Sequence, residues 1–417
     1  MSGFERRGGE LTLDGVSLAQ VAQRFGTPCY VYSRSMIEAA FRQFDTGLAG
    51  VDHLVCYAVK ANSNLAILDA LGRLGAGFDI VSGGELARVL AAGQSAGRVI
   101  FSGVGKSEAE IRGALAARIK CFNVESEPEL ERLDALAAEA GVRAPVSLRI
   151  NPDVDARTHP YISTGLAGNK FGIPHAHALA VYRRAASMAN IRVAGIGCHI
   201  GSQILETSPM DEALERVLDL VDALALEGIG LEHLDLGGGF GIRYRDETPP
   251  DIGAHCARLA ARLKGRGFQV MLEPGRAIVG PAGALLTRVE YLKLDKEKRF
   301  AVVDASMSEL IRPALYESWH DIVAVGPDQG RAAGRYDVVG PVCESSDVLG
   351  FDRDLAVAAG DLLAILSAGA YGMVMASNYN SRPRPCEVLV DAGRAIEVRA
   401  REGVDSLFAL EKRLPPR

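Results

Sequence analysis

Eight short apolar runs, separated by stretches with helical spacing, constrain this 417-residue chain more than any other feature. The runs are HLVCYAV (53–59), GFDIVS (77–82), RVIFSG (98–103), IKCFNVE (119–125), PVSLRIN (145–151), AGIGCHIG (194–201), LEHLDLGGG (231–239) and FQVMLEPG (268–275). Between them, segments such as SEPELERLDALAAEAG (126–141) and MDEALERVLDLVDALALEG (210–228) repeat apolar residues at helical intervals. The first of these opens on Ser126 with Glu129 three residues on, which predicts a capping box. Strand-to-helix alternation of this kind predicts an α/β fold, a parallel (β/α)8 barrel. A helix-like stretch, SRSMIEAAFRQFDTGL (33–48), precedes the first strand. The eighth helix looks missing or displaced, because Pro281 and Gly283 follow Glu273 so soon.

Beyond residue 283 the texture changes. LLTRVEYLKL, RFAVVDAS, YDVVGPVC, DLLAILS, CEVLVDAG and AIEVRA read as short strands with turns between them, an all-β region. LTLDG and PCYVYS near the N-terminus read as strands able to join it. The expected division is a barrel at 31–282 and a β-rich domain from 1–30 and 283–417.

Composition narrows the function. Net charge is −6 with both signs mixed and no basic patch, which argues against a nucleic-acid partner. MSGFERRGGELTLDG lacks the apolar core of a signal peptide. The uncharged window from Leu362 to Ser381 is long enough to span a membrane, but its Ser, Asn, Gly and Tyr content rejects that reading. Seven scattered cysteines, with no C-x-x-C pair, predict free thiols in a reducing cytoplasm and no structural zinc.

In such barrels the chemistry sits at the C-terminal ends of the strands. Those ends carry Lys60; Asp79 and Ser82; Arg149 and Asn151; His199, Gly201 and Ser202; Gly237, Gly238 and Gly239; and Glu273, Gly275 and Arg276. Taken singly, each has an ordinary explanation: a lysine snorkelling into water, a core histidine, a glycine turn, a glutamate paired with Arg276. At one rim they suit pyridoxal 5′-phosphate. That cofactor needs an amine for a Schiff base, an anion cradle, and a group that controls its pyridine nitrogen. Lys60, the GGGFG loop (237–241) with Ser202, and Glu273 would supply one each. Burial at the tip of a core strand would also favour the neutral lysine amine.

With these parts in place, the chain resembles the diaminopimelate decarboxylases, members of the alanine-racemase-like (fold type III) pyridoxal-phosphate enzymes. The resemblance rests on YAVKAN (57–62), FDIVSGGEL (78–86), CHIGSQI (198–204), DLGGGFGI (235–242), EPGRAIVGPAG (273–283), RPALYESWH (312–320), GPVCESSDVL (340–349) and AGAYGMVMASNYNSRPRP (368–385). It implies that Lys60 carries the cofactor, with Asp79 among the residues around it, that His199 stacks on the ring and that Glu273 pairs with its nitrogen. Ser202, Gly238, Gly239, Gly275 and Arg276 would hold the phosphate, with Tyr371 nearby. Arg276, Arg312 and Tyr316 would grip the substrate's distal carboxylate, with Tyr371 also at the substrate. Glu344 would meet the distal ammonium and Cys343 would be a candidate proton donor, both entering from the other subunit of a homodimer. The implied reaction converts meso-2,6-diaminopimelate, at its D-centre, to L-lysine and carbon dioxide, the last step of lysine biosynthesis.

The residues agree with these roles: two arginines and a tyrosine suit a carboxylate, and a buried glutamate suits an ammonium. By itself Cys343 reads as a small buried hydrophobe, and only its CESSD context reverses that. The alternatives are less well matched. A basic amino-acid decarboxylase of the ornithine or arginine type resembles this chain near Cys343 but typically has aspartate where Glu344 stands. A racemase would want a tyrosine there. A non-catalytic cofactor carrier would lack the β-rich region, and a metal-dependent hydrolase would want more histidine than His199.

Overall fold

All eight apolar runs are parallel strands. They are β1 (His53–Ala58), β2 (Gly77–Ile80), β3 (Val99–Phe101), β4 (Cys121–Val124), β5 (Ala144–Asn151), β6 (Ile191–Gly197), β7 (His233–Asp235) and β8 (Gln269–Leu272). Each pairs with the next, and β8 pairs with β1, so the sheet closes. The structure is a computed structural model that describes residues 3–155, 170–295 and 298–416. Leu54, Cys56, Ile100, Cys121, Ala194 and Met271 form one buried cluster. They come from β1, β3, β4, β6 and β8, strands that are not all neighbours, so they meet inside the barrel. Two of the free cysteines thus serve as small apolar fillers.

Helices α1 (Leu65–Arg73), α2 (Gly83–Ala91), α3 (Glu108–Ala117), α4 (Glu127–Ala140), α5 (His175–Ser187), α6 (Ser208–Leu226) and α7 (Ile252–Leu263) follow the first seven strands. β8 is followed directly by the four-residue helix Arg276–Val279 in place of a full barrel helix, and a helix at Arg34–Gly47 precedes β1. The expected capping box at Ser126 is half formed. Ser126 Oγ accepts the Glu129 N–H, but the Glu129 carboxylate turns to the Glu125 N–H and to buried Lys106 instead. The complete box is at the start of α3, where Ser107 and Glu110 satisfy each other's backbone.

The chain forms two compact units. One comprises Glu38–Ile242 and Glu247–Ile278, the other the residues up to Ile37, Arg243–Asp246 and those from Val279 onward. In the second unit, strand Cys29–Ser33 lies between Gly283–Leu294, antiparallel to it, and Cys386–Asp391, parallel to it. A boundary between residues 30 and 31 would therefore cut a strand that the sheet keeps whole. Gly283–Leu294 bends from a buried first half, paired with Cys29–Ser33 and Leu362–Ile365, to an exposed second half paired with Arg299–Val303. Leu11 and Leu13 from a small N-terminal sheet share one core with Val31, Ala284, Leu286, Ala364 and Val388. The window from Leu362 to Ser381 is a strand followed by 3-10 turns, and no helix among the described residues is long and apolar enough to cross a membrane.

The Lys106–Glu129 pair gives a stability test. Nζ and Oε1 are 2.6 Å apart, and the side chains are 1% and 9% exposed. Burial pushes the Glu129 carboxyl up even against the pull of Lys106. Glu129→Ala leaves a buried ammonium with only carbonyl acceptors and should cost about 3 kcal/mol in denaturant unfolding. Ser126→Ala, which removes a cap alone, should cost about 1 kcal/mol.

Candidate active site

The strand ends of the barrel unit bring together an amine, an imidazole and three carboxyl groups. Lys60 sits in the 3-10 turn Val59–Ala61 at the end of β1, where strand geometry stops. Its Nζ lies 2.8 Å from Oδ2 of Asp79 on β2. Asp79 is fully buried and its Oδ1 has no hydrogen-bond partner among the described residues, so Lys60 is the side chain that this carboxyl meets. The Lys60 side chain is 36% exposed. This corrects the expectation of a largely desolvated lysine: the ammonium meets both water and a carboxylate.

Glu273, just past β8, is buried, and its Oε1 accepts from Asn123 Nδ2 at 3.3 Å and from the Ser102 hydroxyl at 3.4 Å. Burial pushes its carboxyl well above the usual range, the nearby Asp235 and Asp79 charges push it further, and Lys60 pulls it back. Asp235, the last residue of β7, is pushed up to about 6, mainly by burial, although the Gly237 N–H donates to its Oδ1 at 2.9 Å. Asn123 Nδ2 reaches Asp235 Oδ2 at 3.4 Å as well as Glu273, so one amide bridges two acids. A glutamate in this setting holds a proton that it can offer as a hydrogen-bond donor.

His199, after β6, is half-buried. Its Nδ1 accepts the Gly238 N–H at 3.1 Å, which puts its own proton on Nε2. Burial first, then the positive charges of Arg149 and Lys60, push the imidazole well below its usual value, so it stays neutral. Arg149 binds mainly Glu125: Nη1 lies 3.2 Å from both its oxygens, while Nη2 donates to the His199 carbonyl at 3.4 Å and the guanidinium lies over the Phe171 ring at 5.0 Å.

The glycine loop differs from its expected use. The Gly237 and Gly238 amides are taken by Asp235 and His199, so Gly238 serves through His199 rather than as a free donor. A Cβ at Gly238 would stand 2.1 Å from the Glu273 carbonyl oxygen, and one at Gly239 2.3 Å from that of Gly201. These glycines are required because the loops after β6, β7 and β8 press backbone on backbone. Gly239 and Gly275 are left with amides unpartnered among the described residues, and Arg276 Nη2 donates to Ser202 Oγ at 3.0 Å. Pyridoxal phosphate fits this set: an amine, a neutral ring to stack on, a buried proton-bearing acid, and two amides with a hydroxyl and a guanidinium for an anion.

The remaining expected residues lie in the sheet unit. Arg312 opens the helix Arg312–Tyr316; it is buried, donates to His320 Nε2 at 3.0 Å and to Ser318 Oγ at 3.2 Å, and lies 4.6 Å over the Tyr244 ring. Tyr316 is half-buried on the same helix. Tyr371 adopts a left-handed backbone (φ 54°), in a segment where a Cβ at Gly369 would meet the Val279 carbonyl oxygen. Cys343 and Glu344 form an exposed turn. This overturns the buried-hydrophobe reading of Cys343, and within its own chain the Glu344 carboxylate is likewise exposed. Sequence reasoning missed Asp235, Asn123 and Ser102, whose signal was a polar residue within an apolar strand run.

The acid pair predicts a pH dependence. Asp235 rises from 3.8 to about 6 on folding, so the folded state binds the extra proton and its stability falls as pH climbs through that window. Asp235→Asn cannot titrate. The unfolding free energy of this variant relative to the unsubstituted chain should therefore improve from pH 4 to pH 6, as read by denaturant melts of the cofactor-free protein.

Comparison with known proteins agrees with this geometry. Residues 34–280 match the family described as pyridoxal-dependent decarboxylase, pyridoxal binding domain. A diaminopimelate decarboxylase of Pseudomonas aeruginosa is 60% identical over 415 residues, all of both chains, and one of Vibrio cholerae is 57% identical over 98% of each. A solved diaminopimelate decarboxylase of M. jannaschii in complex with L-lysine superposes with TM-score 0.93 at 38% identity, covering 100% of this chain and 99% of that one. One from Helicobacter pylori, also with L-lysine, gives TM-score 0.90 at 42% identity over 94% and 98%. A lysine decarboxylase of Selenomonas ruminantium is more distant, with TM-score 0.81 at 26% identity over 90% and 95%.

Proposed function

We propose that this chain, which belongs to the diaminopimelate decarboxylases, removes carbon dioxide from the D-centre of meso-2,6-diaminopimelate and releases L-lysine. The observation that carries this reading is the Lys60–Asp79 pair at the ends of β1 and β2, near the neutral His199 and the buried acid Glu273. When bound, pyridoxal phosphate supplies a carbon that bonds to an amine and a ring that accepts the electron pair left when the C–CO2 bond breaks.

The chain's own residues then have definite tasks. Lys60 Nζ is the amine that would anchor the cofactor, and Asp79 fixes where Nζ points. His199 offers a flat, uncharged face, so it adds no competing positive charge. Glu273 carries a proton at a carboxyl oxygen, where a ring nitrogen would receive it. Ser202, Gly239, Gly275 and Arg276 hold the phosphate. Arg312, Tyr316 and Arg276 hold the distal carboxylate, with Tyr371 alongside. Glu344 takes the distal ammonium. Cys343 delivers the proton that replaces carbon dioxide on the α-carbon. A substrate without the distal groups would leave these polar side chains unpaired, which is the basis of selectivity.

We assign a homodimer with shared sites, since the Cys343–Glu344 turn is exposed in its own chain and its residues suit a partner's substrate. We also place the enzyme in the cytoplasm, a reading supported by its seven free thiols. An ornithine- or arginine-type specificity has less support, because Arg312 and Tyr316 would have no carboxylate to bind.

Carbon dioxide release from diaminopimelate, ornithine and arginine tests the substrate. Release from diaminopimelate should exceed the other two at least a hundredfold; equal or greater release from ornithine or arginine overturns the assignment. Shared sites predict complementation. Lys60→Ala and Glu344→Ala chains, each nearly inactive alone, should regain up to about a quarter of full turnover when mixed, because random pairing makes half the dimers mixed and each of these has one intact site. No recovery in verified mixed dimers contradicts sharing.

A further inference from the structure

The Cys343–Glu344 turn is held by side chains that the mechanism above does not use. Tyr379 donates its hydroxyl proton to Glu344 Oε1 at 2.6 Å. Asn380 Oδ1 accepts the Cys343 N–H at 3.2 Å. Both come from the 3-10 turn Tyr379–Ser381, within the SNYNSRP stretch. Its backbone is unusual: Asn380 and Ser381, neither a glycine, have φ of 54° and 53°. Asparagine tolerates that region and serine does so less readily, and strain of this kind persists where surrounding structure enforces it.

The base of the turn is fixed separately. Buried Asp347 accepts the Met307 N–H at 2.6 Å with Oδ1 and the Val342 N–H at 2.7 Å with Oδ2. The Glu344 N–H donates to the Val342 carbonyl at 2.8 Å, and the Asp347 N–H to that of Glu344 at 3.1 Å. A Cβ at Gly340 would stand 2.4 Å from Asp347 Oδ2, so the glycine is needed for this clamp. Asp347 thus sets the backbone and leaves the Glu344 carboxylate to be aimed. An exposed glutamate has ample rotamer freedom, and fixing it before binding removes an entropic cost from substrate capture.

We propose that Tyr379 is a positioning residue that aims Glu344 at the substrate's distal ammonium, with Asn380 fixing the Cys343 end of the same turn. The proposal rests on the reading that Glu344 meets that ammonium. A carboxylate accepting a phenol proton keeps two lone-pair directions on its other oxygen for an ammonium. The neighbouring carboxylate also raises the phenol above its usual value, which keeps the proton on Tyr379 as the donor. Tyr379 is 44% exposed, so removing its hydroxyl leaves the core packing intact.

The test compares Tyr379→Phe, Glu344→Gln and the double variant in the cofactor-loaded enzyme, reading KM and kcat for diaminopimelate and the binding of L-lysine. Tyr379→Phe should raise KM about fivefold and weaken L-lysine in the same proportion, with kcat within about twofold, as loss of one solvent-exposed hydrogen bond of ordinary net strength implies. Glu344→Gln should raise KM at least about tenfold, and the double variant should be no worse than Glu344→Gln. If Glu344→Gln leaves KM unchanged, the underlying reading of Glu344 fails. If Glu344→Gln raises KM while Tyr379→Phe leaves it unchanged, or if the two effects add fully, the positioning role is wrong.

Discussion

Three mutually coupled buried carboxyl groups, one of them paired with an ammonium, are the interaction on which the barrel unit depends. Asp79, Asp235 and Glu273 lie on or just past β2, β7 and β8; β2 pairs with β1 directly, and closure of the sheet through the β8–β1 pairing brings β7 and β8 around to Lys60. So many like charges cannot all ionise in a low-dielectric setting, so the carboxyl groups of Glu273 and Asp235 are pushed toward the protonated form. Asn123 spans Asp235 and Glu273, and the Gly237 amide supports Asp235. The glycines exist for the same reason: loops carrying these groups must lie backbone against backbone, and a single Cβ would separate them. His199 completes the arrangement by staying neutral beside two cations.

The sheet unit solves a different problem. Its functional side chains sit on turns and one short helix rather than on strands, so each needs its own fastening. Arg312 is held by Ser318, His320 and the Tyr244 ring. The Cys343–Glu344 turn is clamped by Asp347 from below and by the Tyr379–Ser381 turn from the side. The left-handed residues Ser367, Tyr371, Asn380 and Ser381 fall in the same stretch of chain, where tight packing imposes unusual backbone.

Much of this was legible in the sequence because each signal was local. Strands buried on both faces read as unbroken apolar runs, so all eight were visible, although FQVMLEPG runs three residues past the last paired one, Leu272. Lys60 and Glu273 stood out because a charge follows directly on an apolar run. What was not legible depended on residues far apart in the chain. Arg149 is absorbed by Glu125 across a strand pair, and Glu129 by Lys106 rather than by its own helix start. Asp235 and Asn123 hid inside strand runs, where a polar residue among apolar ones is the only trace of a buried network. The exposure of Glu344 follows from what the rest of the fold leaves uncovered, which no spacing rule encodes.

The central claim is that Lys60, held by Asp79, is the amine that carries the cofactor. Borohydride reduction of the purified, cofactor-loaded protein fixes a pyridoxal-derived group to the bonded lysine, and peptide mass mapping then finds it. The account predicts the added mass on the peptide containing Lys60 and on no other. Modification of a different lysine, or none at all in protein that shows the cofactor's visible absorbance, would contradict it.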